Sequence, residues 1–93
     1  PVRATAADLA RTANRLEDEV ATVEAKAADV DRRLYSGQVS AIRELQAMQD
    51  GIDAMHRRQS SLEDEVIEIM EQAEPVDAEL ARQTLAAYEP AGE

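Results

Sequence analysis

The spacing of apolar residues constrains this chain more than any other feature, because it follows one rule over most of the 93 positions. In the first third, apolar residues recur in alternating steps of four and three, which keeps one stripe of an α-helix facing a partner helix. These positions are Val2, Ala6, Leu9, Ala13, Leu16, Val20, Val23, Ala27, Val30 and Leu34. The stripe predicts a long helix over about residues 2–35.

A second stripe with the same steps begins at Leu45 and predicts a second helix over about residues 41–74. Its positions are Leu45, Met48, Ile52, Met55, Gln59, Leu62, Val66, Ile69, Ala73, Val76 and Leu80. The link, residues 36–40, contains Gly37, which suits the left-handed residue after a helix, and Ser40, which suits the start of the next one. Because this link is short, we expect an all-α antiparallel coiled-coil hairpin.

The two stripes also agree on a register. In an antiparallel pair, facing residues have numbers with a nearly constant sum, and pairs such as Leu16 with Leu62 and Ala27 with Ile52 add to roughly 78 or 79. The polar Gln59 falls among the apolar layers, where it is expected to fix the register. The same register predicts pairs of opposite charge: Arg33 with Glu44, Lys26 with Asp50 or Asp53, Glu19 with Arg57, Asp18 with Arg58, Arg15 with Glu63, and Arg11 with Glu65.

Pro75 interrupts the second stripe. Proline lacks a backbone N–H and its ring clashes with the preceding helical turn, so a break or kink is expected here. Residues 75–79, with proline first and acids following, resemble the first turn of a new helix. We therefore predict a hairpin over residues 1–74, a short third helix over 75–88, and a disordered tail over 89–93.

Composition and charge exclude several classes of function. Ten Lys and Arg against 20 Asp and Glu give a net charge of −10, which disfavours direct binding to nucleic acid. Cysteine is absent, which removes thiolate zinc sites, disulfides and cysteine nucleophiles from these residues. No apolar run approaches the roughly 18 residues of a membrane span. We expect a cytoplasmic helical protein without a membrane segment.

Catalysis needs polar groups that converge in a pocket, and a rod of two helices offers none. His56, the only histidine, lies beside the second stripe and is expected to be a solvated surface residue. The acidic runs at 17–19 and 63–65 point around a helix instead of converging on a cation. We expect no catalytic residue, metal site or cofactor in this chain.

Two regions are candidates for binding a protein partner. The first is the tip of the hairpin, whose candidate residues are Tyr35, Ser36, Gly37, Gln38, Val39, Ser40 and Ile42. Packing within the hairpin does not account for all of these side chains. The alternative is local capping, with Tyr35 lying over Ile42.

The second region is an assembly face, predicted because the alanine-rich stripe of the first helix is thin and needs further cover. Its candidate residues are Ala21, Ala25, Ala28, Ile67 and Met70. We expect a homodimer or a partner protein to cover this face. The alternative is that Leu80, Leu85 and Tyr88 fold back over it.

Four short motifs on the tip and the returning helix carry a family resemblance. They are Ser36-Gly37-x-Val39-Ser40, Glu44-Leu45-Gln46, Arg58-Gln59-x-x-Leu62-Glu63-Asp64 and Ile69-Met70-Glu71. With them, residues 34–80 resemble the hairpin of the bacterial C4-type zinc-ribbon coiled-coil proteins. The first helix matches only as a coiled coil.

This resemblance implies a long antiparallel hairpin that acts as an adaptor. Such proteins carry a zinc ribbon with two CxxC pairs after the hairpin, and some bind an alternative sigma factor, a secretion or flagellar component, or RNA. Because this sequence has no cysteine, zinc binding is not carried over. The chain is then either the hairpin part of a longer protein, whose missing ribbon could bind zinc or nucleic acid, or a relative without a ribbon.

A weaker resemblance is to the small secreted helical hairpins of the WxG type. Tyr35-Ser36-Gly37 occupies the turn, but a tyrosine replaces the tryptophan. Tyr88 also lacks the acid four residues later. We therefore interpret the chain as a non-catalytic interaction or scaffold module, with an adaptor role in transcription or another cytoplasmic complex.

Overall fold

The computed structural model describes residues 1–88, and these form two long α-helices. Helix α1 spans Val2–Tyr35 and helix α2 spans Ile42–Ala87. Val2 at the start of α1 lies beside Val76 near the end of α2, so the helices are antiparallel. The molecule is a rod with extents of 79 × 17 × 15 Å. The predicted all-α antiparallel hairpin is confirmed.

The core is a single seam between the helices. Every position of the two predicted stripes is buried or half-buried. The four fully buried residues are Leu16 and Ala27 on α1 and Ile52 and Leu62 on α2. They occupy two of the predicted layers, and Ala27 and Ile52 line one groove together, as that register requires. The seven-residue spacing therefore determines which side chains the hairpin buries.

Gln59 joins the helices across the seam. Its Nε2 donates to Glu24 Oε1 on α1 at 2.8 Å and to Glu63 Oε1 on α2 at 3.1 Å. The amide therefore has partners on both helices. This geometry is consistent with the predicted role of Gln59 in fixing the register, because sliding α2 along α1 would break the bond to Glu24.

The predicted ion pairs between the helices are wrong in their partners, and none of the six forms among residues 1–88. The interhelical ion pair observed there joins Arg58 Nη2 to Glu19 Oε2 at 3.2 Å. Glu19 also accepts from Arg15 within α1, at 3.1 Å. Arg11 likewise pairs with Asp8, one turn away. Neighbours three and four positions apart are within easy reach on a helix, so they compete with partners across the seam.

The predicted break at Pro75 is wrong. Helix α2 continues through Pro75 to Ala87, so residues 75–88 do not form a separate third helix. Pro75 and Glu71 are both exposed. Because proline has no backbone N–H, the carbonyl of Glu71, four residues earlier, lacks its usual helical hydrogen bond. An exposed carbonyl can bond to water instead.

Packing on both sides of Pro75 accounts for the continuity of α2. Ala73, Val76 and Leu80 are all half-buried, so the seam extends past the proline. Pro1, which precedes α1, and Val2, its first residue, line one depression together with Pro75 and Val76. Burial along a continuous stripe offsets the cost of one proline inside the helix.

The end of α2 does not fold back. Leu85 and Tyr88 remain largely exposed, so they cover no part of the open face of the hairpin. The alternative in which they cover the thin stripe of α1 is therefore wrong for the described residues. The predicted disordered tail, residues 89–93, lies outside the described residues.

The tip is built on one glycine and one serine. Gly37 has a φ of +80°, which confirms its predicted left-handed conformation. The Ser36 hydroxyl donates to the Arg33 carbonyl at 2.8 Å and accepts from the Gln38 N–H at 3.2 Å. Ser40 does not cap α2 as predicted. The carbonyl of Ala41 accepts the first bond, from the Leu45 N–H, so Ala41 is the N-cap.

Replacing Gly37 with alanine should lower the free energy of unfolding by about 1 kcal/mol, because a Cβ disfavours the left-handed backbone. A Cβ at this position would meet no atom within 4 Å, so the loss comes from the backbone alone. Chemical denaturation followed by circular dichroism measures the change. Gly37→Asn is the control and should lose less, since asparagine tolerates this conformation. Equal losses in both variants would contradict the backbone explanation.

Candidate functional site

The tip carries two large apolar side chains that the hairpin does not cover. Tyr35 is 78% exposed and Ile42 is 80% exposed. Neither is therefore shielded by the other, and the capping arrangement in which Tyr35 lies over Ile42 is absent. Ser36, Gly37, Gln38 and Ser40 are also exposed, and Val39 is half-buried. The structure thus brings all seven candidate tip residues together at one end of the rod.

The tip offers a small surface with two exposed apolar side chains, Tyr35 and Ile42, separated by exposed polar residues. Tyr35 supplies a ring and a hydroxyl, and Ile42 supplies an aliphatic side chain. Beside Tyr35 the backbone is held by the Ser36 bonds to Arg33 and Gln38. A fixed backbone that presents an aromatic anchor is suited to binding a pocket on another protein.

The predicted assembly face is also open. Ala21, Ala25, Ala28, Ile67 and Met70 are all exposed. Ala21 and Ala28 are seven positions apart and so share one line along α1. Ala28 lines one groove between the helices, and Ile67 lines another. Ala25 lies two positions from the seam residues Val23 and Ala27, on the outer side of α1.

The first groove lies nearer the tip. Its walls are Glu24, Ala27, Ala28 and Asp31 on α1 and Ile52, His56 and Gln59 on α2. His56 is exposed, as expected for a surface histidine. Within residues 1–88 no cluster of three or more His, Cys, Asp or Glu side chains is placed to hold a metal ion.

The second groove lies nearer the middle of the rod and on the same side. It is lined by Glu17 and Val20 from α1 and by Glu63, Val66 and Ile67 from α2. Glu17 lies one heptad before Glu24, and His56 one heptad before Glu63, so both grooves follow the same edges of the helices. Glu19, which forms the ion pair with Arg58, is two positions beyond Glu17 and therefore lies on the opposite side.

The sequence interpretation missed the acidic rim of this face. Glu17 and Glu63 border the groove, and Glu71 and Glu74 border an adjoining surface that includes Ile67 and Met70. A signal was present in the sequence, because no Lys or Arg occurs between Arg58 and Arg82.

Neither of the two described helices contains a segment apolar enough to cross a bilayer.

Two curated proteins are similar to most of this chain. They are the uncharacterized protein Rv2229c of Mycobacterium tuberculosis strain H37Rv and the uncharacterized protein MT2288 of strain CDC 1551. Each is 35% identical over 78 residues, which cover 84% of this chain and 31% of the relative. The chain thus spans about a third of the length of these relatives. No solved structure gives a significant match.

A family model supplies the classification. The model of the CT398-like coiled coil hairpin domain matches residues 1–92. The match covers α1 as well as the tip and α2, so it extends beyond the residues 34–80 that carry the motifs. Together with the antiparallel hairpin, it confirms the suspected relationship of the hairpin portion. The chain therefore belongs to the family of CT398-like coiled coil hairpin domains.

Proposed function

We propose that this hairpin is a non-catalytic protein-interaction module that binds a partner protein through its tip. The observation that carries the proposal is the exposure of Tyr35 and Ile42 together at one end of a rod 79 Å long. Leaving two large apolar side chains in water forgoes the stabilisation that burial would give. A partner with a complementary pocket would recover it.

The shape of the hairpin suits an adaptor. A rod holds its tip far from whatever is attached at the opposite end. Because the chain spans 31% of its curated relatives, the other end of the hairpin can connect to further parts of a longer protein. The resemblance to zinc-ribbon proteins that bind an alternative sigma factor supports a transcription complex, or another cytoplasmic complex, as the setting.

A homodimer through the assembly face stays a prediction from the sequence, and the carboxylates beside Ile67 and Met70 weigh against it. Nucleic-acid binding by the hairpin itself is disfavoured by the net charge of −10. A secreted hairpin of the WxG type receives no support from the family match, which is to the CT398-like domain.

The tip proposal predicts where a partner crosslinks. A photo-crosslinking amino acid in place of Gln38 should capture a defined partner in the native host, whereas the same group in place of Leu85 should not. With that partner purified, Tyr35→Ser combined with Ile42→Ser should weaken binding by about tenfold or more, as expected for loss of apolar anchors. Isothermal titration calorimetry measures the affinity.

Leu85→Ser is the matched control, because Leu85 is another exposed apolar residue of the same helix. It should leave the affinity unchanged. Neither variant should change the free energy of unfolding by more than about 0.5 kcal/mol, since both alter exposed positions. Equal capture of the same partner from positions 38 and 85, or equal binding by the tip variant and wild type, would contradict the proposal.

A further inference from the structure

One side of the hairpin combines exposed apolar groups with carboxylates. Ile67 is 53% exposed and Met70 is 57% exposed. Ile67 borders both the groove with Glu17, Val20, Glu63 and Val66 and the adjoining surface with Met70, Glu71 and Glu74. The two depressions, of about 280 and 290 Å³, therefore form one continuous surface, here named the acidic groove.

We propose that the acidic groove binds an amphipathic helix of a partner protein, with an apolar stripe that packs on Ile67 and Met70 and flanking Lys or Arg residues. A helix fits because the part of the groove with Glu17 and Val20 on one side and Glu63 and Val66 on the other lies between the two helices, where a third helix can pack. The part with Met70, Glu71 and Glu74 extends this surface along α2. This surface is separate from the tip. Ile67 lies 25 residues along α2 from Ile42, which corresponds to about 38 Å.

The negative charge of the acidic groove favours a basic partner. The stretch of α2 between Arg58 and Arg82 carries eight carboxylates and no basic residue: Glu63, Asp64, Glu65, Glu68, Glu71, Glu74, Asp77 and Glu79. Glu17, Glu63, Glu71 and Glu74, which border the groove, form no ion pair with any described residue. Their charges are therefore available to Lys or Arg side chains that approach from outside.

The same charges argue against a second copy as the occupant. Two acidic grooves facing each other would bring Glu17, Glu63, Glu71 and Glu74 of both chains close together, and like charges repel at an interface. Contact with phosphate groups of a nucleic acid is disfavoured for the same reason. A basic helix removes the repulsion and buries the same apolar side chains.

A defined peptide tests the proposal on the full chain. The probe is a helical peptide of about three heptads with Leu at the core positions and Lys elsewhere. We expect it to bind, to shift the NMR signals of the Ile67 and Met70 methyl groups, and to weaken as salt is raised. The corresponding peptide with Glu in place of Lys should not bind. Fluorescence anisotropy gives the dissociation constants.

Two double variants separate the groove from the overall charge. Glu71→Gln with Glu74→Gln should weaken peptide binding by about five- to tenfold, because two carboxylates that border the groove are lost. Glu65→Gln with Glu68→Gln removes the same charge from exposed positions of the same helix that do not border the groove, and should have less than about a twofold effect. Equal weakening in both variants would overturn the proposal, because it would assign binding to net charge alone.

Apolar contact is tested independently. Ile67→Gln with Met70→Gln should weaken binding of the Lys peptide by about tenfold. Ile42→Gln, at an exposed residue of the tip, should not change it. Sedimentation of the protein alone decides between occupants. A dimer that dissociates in the Ile67→Gln, Met70→Gln variant would assign the groove to a second copy and overturn the proposal.

Discussion

Replacing Leu62 with alanine should destabilise the hairpin by about 3 kcal/mol, because it removes a fully buried leucine and leaves a cavity. Leu62 is the most deeply buried side chain among the described residues. It lies in the layer predicted to contain Leu16, which is also buried. The seam is only one layer wide, so few other side chains can move in to fill the space. Urea denaturation followed by circular dichroism measures the loss.

The matched control for Leu62→Ala is Ile67→Ala. Ile67 lies on the same helix and loses a similar volume, but its side chain is half exposed. We expect its cost to stay below about 1 kcal/mol. If the two variants lost the same stability, Leu62 would not lie in the core of the hairpin and the register would be wrong.

Replacing Pro75 with alanine should stabilise the hairpin by about 1–3 kcal/mol, because proline inside a helix removes a backbone bond and clashes with the preceding turn. In this structure α2 passes through Pro75 without ending. Alanine would restore the N–H donor to the carbonyl of Glu71. The thermal midpoint, measured by circular dichroism or calorimetry, should rise.

Gly51→Ala calibrates the experiment on Pro75. Gly51 lies inside the same helix and a Cβ there meets no atom within 4 Å, so alanine should stabilise by about 0.5–1 kcal/mol through helix propensity alone. If Gly51→Ala raised the midpoint while Pro75→Ala lowered it, Pro75 would be starting a separate helix. That outcome would favour the three-helix arrangement that the sequence suggested.

The seam could be predicted from the sequence because its seven-residue spacing is continuous and unambiguous. All the stripe positions, from Val2 to Leu80, are at least half-buried. Gly37 was equally predictable, since its conformation follows from its position after a helix. The continuation of α2 through Pro75 could not be predicted from the sequence, because it depends on long-range packing. Val2 and Val76 come to border the same depression only after the hairpin closes, and half-burial of Val76 there favours continuation of α2 through Pro75.

The candidate site was predicted in part. Tyr35 and Ile42 were correctly placed at the tip, because the turn has few residues and leaves little to cover them. The acidic groove was missed because Glu17 and Glu63 are far apart in the sequence and border one depression only when the two helices pair. The partners of exposed arginines were also unpredictable, since a carboxylate four positions away on the same helix competes with those across the seam, as Glu19 does for Arg15.

Small-angle X-ray scattering of the full chain, extrapolated to infinite dilution, tests most directly whether the protein is an open two-helix rod. The structure predicts a radius of gyration near the 21.7 Å of its Cα atoms and a maximum dimension near 79 Å. A chain of this length folded into a compact bundle would give about 12 Å. A value close to that compact limit would contradict the rod, and with it the exposed tip and the acidic groove.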